Sequence, residues 1–353
     1  MLSGVTKRMF EIIVSLCLLG DPGTCRTQLL AGLETVSEEE CVAVLQNLDP
    51  GSRLDPATDY SIGKPACREM PDGIALEEVA QGVFVHTGEI SEPDPGNLGD
   101  IANLGVVVGD TSIAVIDAGG ARAVGEDLYR AIRKISALPV GHLVLTHVHP
   151  DHVFGASVFA EAGARIVGHP NLVRALRDRE QSYLESFRAE IGASGFLGTR
   201  VDFEVLPPSG IDLGGRSLEL RSWPMAHSTS DLTVLDVQTG TLFTGDLVFH
   251  RHVPVLDGSL KGWLSVLDEL ETLEAVRIVP GHGSPSLRVE EGLAPVREYL
   301  RVLQDQTRQS LDAGSRMSDA VTGIAQDQRP RWELFDAFNI RNATVAFTEL
   351  EWD

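Results

Sequence analysis

The chain has 353 residues, 43% hydrophobic and 6% aromatic, with 35 glycines spread along it, a composition that excludes a disordered or fibrous protein and describes a soluble α/β one. Single cores usually stop growing near ~250 to 300 residues, so one main domain with an appendage is expected. With 29 Lys plus Arg against 51 Asp plus Glu the formal charge is -22, a surface that repels phosphate backbones and anionic head groups and so argues against nucleic acid as a partner.

Residues 1–72 mix short apolar runs with Asp-Pro-Gly and Pro-Ala-Cys turn signals and show no long periodicity. This is the appendage. All four cysteines, Cys17, Cys25, Cys41 and Cys67, fall within it. An even number in a short, weakly patterned segment points to a disulfide-stapled module in an oxidising compartment, with three pairings open. Unpaired buried thiols or a small metal site are the alternatives, and the lack of a C-x-x-C pair argues against a structural zinc. The run Met9 to Leu19, behind Lys7 and Arg8, resembles a secretory h-region. However, Glu11 interrupts it, no small-residue cleavage site follows in Gly20-Asp21-Pro22-Gly23, and it is too short to span a bilayer. Phe10 to Leu18 is therefore expected as a buried strand, the given chain as a mature form or one with a misplaced start, and membrane insertion is not expected. A periplasmic location rests on the cysteines alone, with the cytoplasm as the alternative.

From Ile74 the pattern changes. Val83 to His86, Asn103 to Val108 and Ile113 to Ile116 read as consecutive strands separated by glycine-rich turns. Ala121 to Ile135 carries apolar residues at helical spacing, with Pro139 as a stop signal, and His142 to Leu145 is a short strand. Then follow a helix from Asp151 to Ala162, a strand Arg165 to Gly168 and a polar helical stretch from Asn171 to Ile191. Strands at Ser217 to Trp223, Leu232 to Asp236 and Thr241 to Thr244, a helix Leu260 to Leu273 and a strand Arg277 to Val279 come after these. This order suggests two sheets packed face to face with helices outside, a four-layer αββα sandwich over residues 73–290. Residues 291–353 add helices, Val296 to Arg308 among them, and a final β-like run, Val345 to Leu350.

Thr146-His147-Val148-His149-Pro150-Asp151-His152 follows directly on a strand, and three imidazoles and a carboxylate packed into six residues need a chemical reason. Zinc provides one, because imidazole nitrogen and carboxylate oxygen are its usual ligands in catalytic sites. His227, Asp246 and His282 each stand at the end of another expected strand, where loops gather ligands from distant sequence. Ordinary satisfied histidines do not explain the pattern: ten His occur and five lie in it. Of the others, His86, His142 and His169 read as structural. His250 and His252, carried away from Asp246 towards the substrate rim, are candidate substrate-binding residues, with Lys261 a weaker one. Asp117 reads either as a carboxylate orienting a ligand imidazole or as a turn-forming residue before two glycines.

The H-x-H-x-D-H motif at 147–152, with the later His227, Asp246 and His282 in order, resembles the metallo-β-lactamase superfamily over about residues 74–290. The resemblance implies that His147, His149 and His227 bind one zinc, Asp151, His152 and His282 a second, and that Asp246 bridges both. Two such ions lower the pKa of a shared water from about 15.7 to near ~7, giving a hydroxide nucleophile, with Asp151 aiding proton transfer. Iron or manganese suit the same donors. The expected reaction is hydrolysis of a small ester, lactone, thioester or amide. Zinc β-lactamases resemble this pattern but usually place Cys or Ser where Asp246 stands, which argues against dedicated β-lactam hydrolysis. His227-Ser228-Thr229-Ser230-Asp231-Leu232-Thr233-Val234 nonetheless looks like their segment, leaving a side activity open.

The cysteine-bearing N-terminal segment, Asn97 to Asn103, Gly245 to His252 and the terminal Phe347 to Trp352 are similar to the quinoprotein relay system zinc metallohydrolases. That resemblance spans nearly the whole chain and implies association with a periplasmic quinoprotein dehydrogenase. A third reading makes the protein a non-catalytic accessory or carrier for a quinone cofactor system.

Overall fold

The computed structural model describes residues 8–48 and 60–352; the Asp-Pro-Gly signal at 49–51 lies outside them. In the N-terminal module, β1 (Phe10–Leu18) pairs antiparallel with β2 (Cys25–Leu29), β3 (Tyr60–Ile62) and β4 (Ala66–Glu69), and α1 (Glu38–Gln46) covers one face. Ile12, Val14 and Leu16 alternate along β1 into a small core with Leu30 and Cys41. Two disulfides settle the pairing: Cys17 with Cys25 across β1 and β2, and Cys41 with Cys67 from α1 to β4.

The main body holds a seven-stranded sheet made of β5 (Glu77–Ala80), β6 (Val83–His86), β7 (Leu104–Val108), β8 (Ile113–Ile116), β9 (Val140–Leu145), β10 (Arg165–Gly168) and β11 (Val205–Leu206), in spatial order β11-β10-β9-β8-β7-β6-β5. Strands β5 to β8 run antiparallel, while β8 to β11 are parallel and connected by helices: α2 (Arg122–Ile135), the short α3 (Pro150–Val153) and α4 (Ala156–Glu161), and α5 (Leu172–Phe196). The second sheet, β12 (Ile211–Asp212), β13 (Ser217–Ser222), β14 (Leu232–Asp236), β15 (Thr241–Phe249) and β16 (Arg277–His282), is ordered as in sequence. Helices α6 (Leu260–Leu270), α7 (Val289–Asp312), α8 (Met317–Ala320) and α9 (Phe335–Leu350) follow on its outer side.

Strand alternation builds the layers. Val83, Val85, Val107, Ala114, Ile116 and Val144 point towards Leu232, Val234, Phe243 and Val279 of the other sheet, forming the central core. Their neighbours Leu104, Val106, Ile113 and Val115 point outward onto α2 and α4. Gly105 is required here, since a β-carbon on it would fall 2.4 Å from the Phe243 ring. The result is the four-layer αββα sandwich.

The module is fixed to the body by buried charge. Glu11, which breaks the apolar run in the sequence, is fully buried because its carboxylate accepts from Arg130 Nε of α2 at 2.8 Å and Arg68 Nε at 2.7 Å. Arg122 is equally buried, bonded to Glu126, to Glu161 and to the Leu29 carbonyl, and Arg26 reaches Glu126 at 2.6 Å. A buried ion is tolerated when its hydrogen-bonding capacity is filled in this way.

Several expected elements differ. Val345 to Leu350 is not a strand but the last part of α9, whose buried Phe335, Asn339, Asn342, Ala343, Ala346 and Leu350 recur at helical spacing. The helix expected from Asp151 to Ala162 is broken at Phe154 and Gly155. There the backbone of Gly155 presses on Ala118 and Gly125 so closely that a β-carbon would lie 2.0 Å from the Ala118 oxygen. Strand β15 continues past Thr244 to Phe249 through two register shifts, so Asp246 lies within an irregular strand rather than after one.

Candidate metal centre

Strand β9 delivers the His147 loop at its carboxyl end, β16 ends on His282, and β15 bends at Gly245 and presents Asp246 between them. Gly245 takes φ +50°, and a side chain there would strike Thr146. His227 sits in the turn before β14, which Asp231 ties down by accepting the Ser228 N–H at 2.9 Å and its hydroxyl at 2.7 Å. All seven residues named from the sequence meet here, in two nests. One holds His147, His149, His227 and Asp246, the other Asp151, His152 and His282, and within each the candidate ligand atoms lie within 4.8 Å of one another.

In the first nest His149 Nδ1 lies 3.1 Å from His147 Nε2 and 3.0 Å from His227 Nε2. In the second, Asp151 Oδ2 lies 3.5 Å from His152 Nε2 and 3.4 Å from His282 Nε2. Asp246 faces both. Its Oδ2 is 3.6 Å from His147 Nε2 and 3.5 Å from His227 Nε2, while Oδ1 is 3.2 Å from His152 Nε2 and 3.3 Å from His282 Nε2.

The outer nitrogen of every ring has an acceptor. His147 Nδ1 donates to Thr146 Oγ1, whose own proton goes to Asp117, and His149 Nε2 donates to Asp257 Oδ2. His152 Nδ1 donates to Asp117 Oδ2 at 2.8 Å, His227 Nδ1 to the Val255 carbonyl at 2.6 Å and His282 Nδ1 to the Ile101 carbonyl at 2.8 Å. With protons assigned outward, five lone pairs and two carboxylates converge on one place. His152 Nε2 and Asp246 Oδ1 are buried there without a hydrogen bond. Such donors suit a pair of divalent cations.

The electrostatics agree. Burial, helped by the charge of His152, holds His147 well below the usual histidine range, and burial lowers His227 to about 3, so both rings are neutral donors at neutral pH. Burial pushes His152 and His282 in the same direction. The carboxylates, Asp246 foremost, outweigh it, raising His152 far up and His282 to about 9. Without a metal these carboxylates hold protons on the two rings, the protons a cation replaces.

Asp117, weighed from the sequence as a carboxylate orienting an imidazole or as a turn residue, meets the His152 ring and Thr146. It takes φ +61° at the end of β8 and also accepts the Thr146 N–H at 2.8 Å. His86 bridges Asp100 and the Ala75 carbonyl, His142 meets Arg165, and His169 reaches the Trp223 carbonyl.

Above the nests opens a cavity of about 250 Å³ with His149, Asp151, Asp246 and His282 on its floor. Ile101, Tyr183, Phe187, Phe249, Val255 and Phe338 give it an apolar wall, and Arg341 stands at its edge. His252 lines it, its ring 5.0 Å from His282 and 5.4 Å from Phe338, and burial lowers it to about 4, leaving it neutral. His250 is turned away, accepting the Ser284 N–H at 3.3 Å, and Lys261 is exposed on the first turn of α6. Neither lines the cavity: the His250 ring turns to the Ser284 N–H instead, and α6 carries Lys261 to the surface. Sequence reading missed Asp257, Tyr183 and the aromatic wall, none of which stands in a motif.

Residues 98–282 match the family described as the metallo-beta-lactamase superfamily. A linear primary-alkylsulfatase from Pseudomonas sp. (strain ATCC 19151) is 22% identical over 256 residues, 60% of this chain and 48% of that one. Among solved structures, the stereoselective inverting sec-alkylsulfatase Pisa1 from Pseudomonas sp. gives a TM-score of 0.59 at 17% identity, covering 78% of this chain and 50% of that one. A metallo-beta-lactamase from Pontibacter korlensis gives 0.51 at 20% identity, covering 65% and 99%. The chain thus spans about half the length of the alkylsulfatases it matches, and at these identities the solved structures speak for the fold. A family match over more than half of the chain, on the segment that carries the cluster, places this protein in the metallo-beta-lactamase superfamily.

Proposed function

We propose that the protein is a dinuclear zinc hydrolase acting on a small ester, lactone, thioester or amide with an apolar group. The observation that carries this reading is the inward turn of five imidazoles around the two-faced Asp246 carboxylate, on the floor of an aromatic-walled cavity. When bound, a pair of zinc ions supplies Lewis acidity and brings a water to a pKa near ~7.

The chain's own residues supply the rest. Asp151 faces the cavity and is placed to accept a proton from the attacking water. Phe249 and Phe338 hold the apolar part of the substrate and exclude solvent, which strengthens every polar contact inside. His252, neutral and buried against Phe249, Phe338 and His282 with Nδ1 held by the Val253 carbonyl, orients the substrate through Nε2. A location in an oxidising compartment fits the two disulfides, and no helix among the described residues is long and apolar enough to cross a membrane. The link to a quinoprotein dehydrogenase rests on the sequence resemblance.

Metal analysis followed by a panel of aryl esters, lactones, acyl thioesters, nitrocefin and a linear alkyl sulfate tests this reading. Two metals per chain and fastest turnover of an apolar ester, lactone or thioester are expected. The alkyl sulfate is included because of the alkylsulfatase relatives. A fully loaded protein inert on the whole panel would favour the accessory role.

A further inference from the structure

Helix α9 packs on the outer side of the second sheet, yet its polar side chains converge on one loop. Asn342 Oδ1 accepts the Leu256 N–H at 2.9 Å, and its amide donates to the Pro254 carbonyl at 2.6 Å. Arg341 Nη2 donates to Asp257 Oδ1 at 2.9 Å. Glu349 accepts from the Ser259 hydroxyl at 2.7 Å and the Leu260 N–H at 2.6 Å, fixing the start of α6. Residues 254–260 are thus pinned at both ends and in the middle by one helix.

That loop supports the first nest from behind. Val255 takes the His227 ring proton through its carbonyl, and the Asp257 N–H donates to the His227 carbonyl at 3.0 Å. Asp257 Oδ2 lies 3.1 Å from His149 Nε2 and also accepts from Arg179 of α5, while Arg341 takes Oδ1. Asp257 therefore touches two of the three imidazole-bearing residues of this nest while two arginines, from helices far apart in sequence, hold its carboxylate.

Building on the reading of the nests as cation sites, we propose that Asp257 is a positioning residue for His149 and His227, and that α9 through Arg341 and Asn342 keeps it in place. The carboxylate, 3.1 Å from His149 Nε2, accepts the proton there and so commits Nδ1 to the nest, and the Val255 carbonyl accepts the His227 Nδ1 proton and so commits its Nε2. Partners of this kind orient a ligand ring and raise its basicity.

The test uses the full-length protein, titrated with Zn2+ against a chromophoric chelator and separately loaded with Co2+ for its absorption spectrum. In Asp257→Asn one of the two ions should bind about 10- to 100-fold more weakly, with an altered cobalt spectrum, while the other ion is unaffected. Arg341→Gln should shift the same ion in the same direction by less. Asp257→Glu should recover part of the affinity. Arg329→Gln removes the pair with Asp336 near the start of α9 and the contacts with Gln326 and the Phe335 ring, none of them at the 254–260 loop, and should bind both ions as the unaltered protein does. If Asp257→Asn fails to fold, Arg341→Gln decides, because that side chain is half exposed and its loss leaves no buried charge. Unaltered protein that takes up two ions, with both variants binding them equally tightly and an unchanged spectrum, overturns this proposal alone. Unaltered protein that takes up no pair of ions overturns the reading of the site as well.

Discussion

The backbone of Gly281 lies against the Asp246 carboxylate so closely that a β-carbon built on it would fall 1.9 Å from Oδ1, and 2.8 Å from the Gly245 carbonyl carbon. Strand β16 therefore delivers His282 to the cluster only because the residue before it has no side chain. Gly281→Ala should rotate Asp246 away from His152 and His282. A displacement of about 1 Å at a reacting centre can cost ~100-fold in rate, so turnover should fall by about that factor and metal content should drop, both readable by elemental analysis and hydrolysis assays.

Asp246 itself is the one residue shared by the two nests. Asp246→Ala is expected to lose one metal per chain and reduce turnover by more than about 100-fold, beyond what loss of an outer partner costs. A variant that kept two metals and full turnover would show that the ligand assignment is wrong.

His86 pairs with Asp100 at 2.8 Å, away from the cluster. Burial works against its charged form, but Asp100 overrides it and raises the ring pKa above the ordinary 6.5. The folded protein therefore holds this proton more tightly than the unfolded chain does. The pair's contribution is complete below pH ~6.5 and fades as pH rises through the folded-state value. Melting temperature measured from pH 5 to 9 should fall more steeply over that window in the unaltered protein than in His86→Gln, and parallel curves would contradict the assignment.

Glu11 is fully buried between Arg130 and Arg68. Removing one member of a buried ion pair costs about 3 kcal/mol or more because the partner is left without compensation. Glu11→Ala should show that loss in urea unfolding, whereas an exposed pair such as Arg8 with Glu69 should contribute less than about 1 kcal/mol.

Opening the Cys41–Cys67 bridge, which closes 26 residues, should cost about 3 kcal/mol through the freedom returned to the unfolded chain. Cys41→Ser with Cys67→Ser should lower the melting temperature while leaving the metal content unchanged, because neither residue approaches the nests. Loss of metal in that variant would mean that the module and the cluster are coupled.

The cluster was legible because its ligands are rare residues at strand ends, where spacing alone carries meaning. Val83–His86 and Ile113–Ile116 were legible because short apolar runs bounded by glycine-rich turns read as buried strands. Val345 to Leu350 was not: its β-branched and aromatic residues suit a strand locally, and only the packing of Asn339, Asn342 and Ala346 against α7 makes it helical. Lys261 and His250 show the converse limit. Both follow Asp246 in the sequence, but the His250 ring turns to the Ser284 N–H and α6 leaves Lys261 exposed. Asp257 carries no signature, since its meaning depends on helices about 80 residues away on either side.

All seven candidate ligands lie between residues 147 and 282, yet the loop that backs His149 and His227 is gripped by α9, which starts at Phe335. During synthesis the last of these side chains emerges more than fifty residues before that grip can form. On the proposed reading of the nests, the growing chain carries the whole donor set before it has the frame that orients it, and tight metal uptake is expected only once α9 has packed.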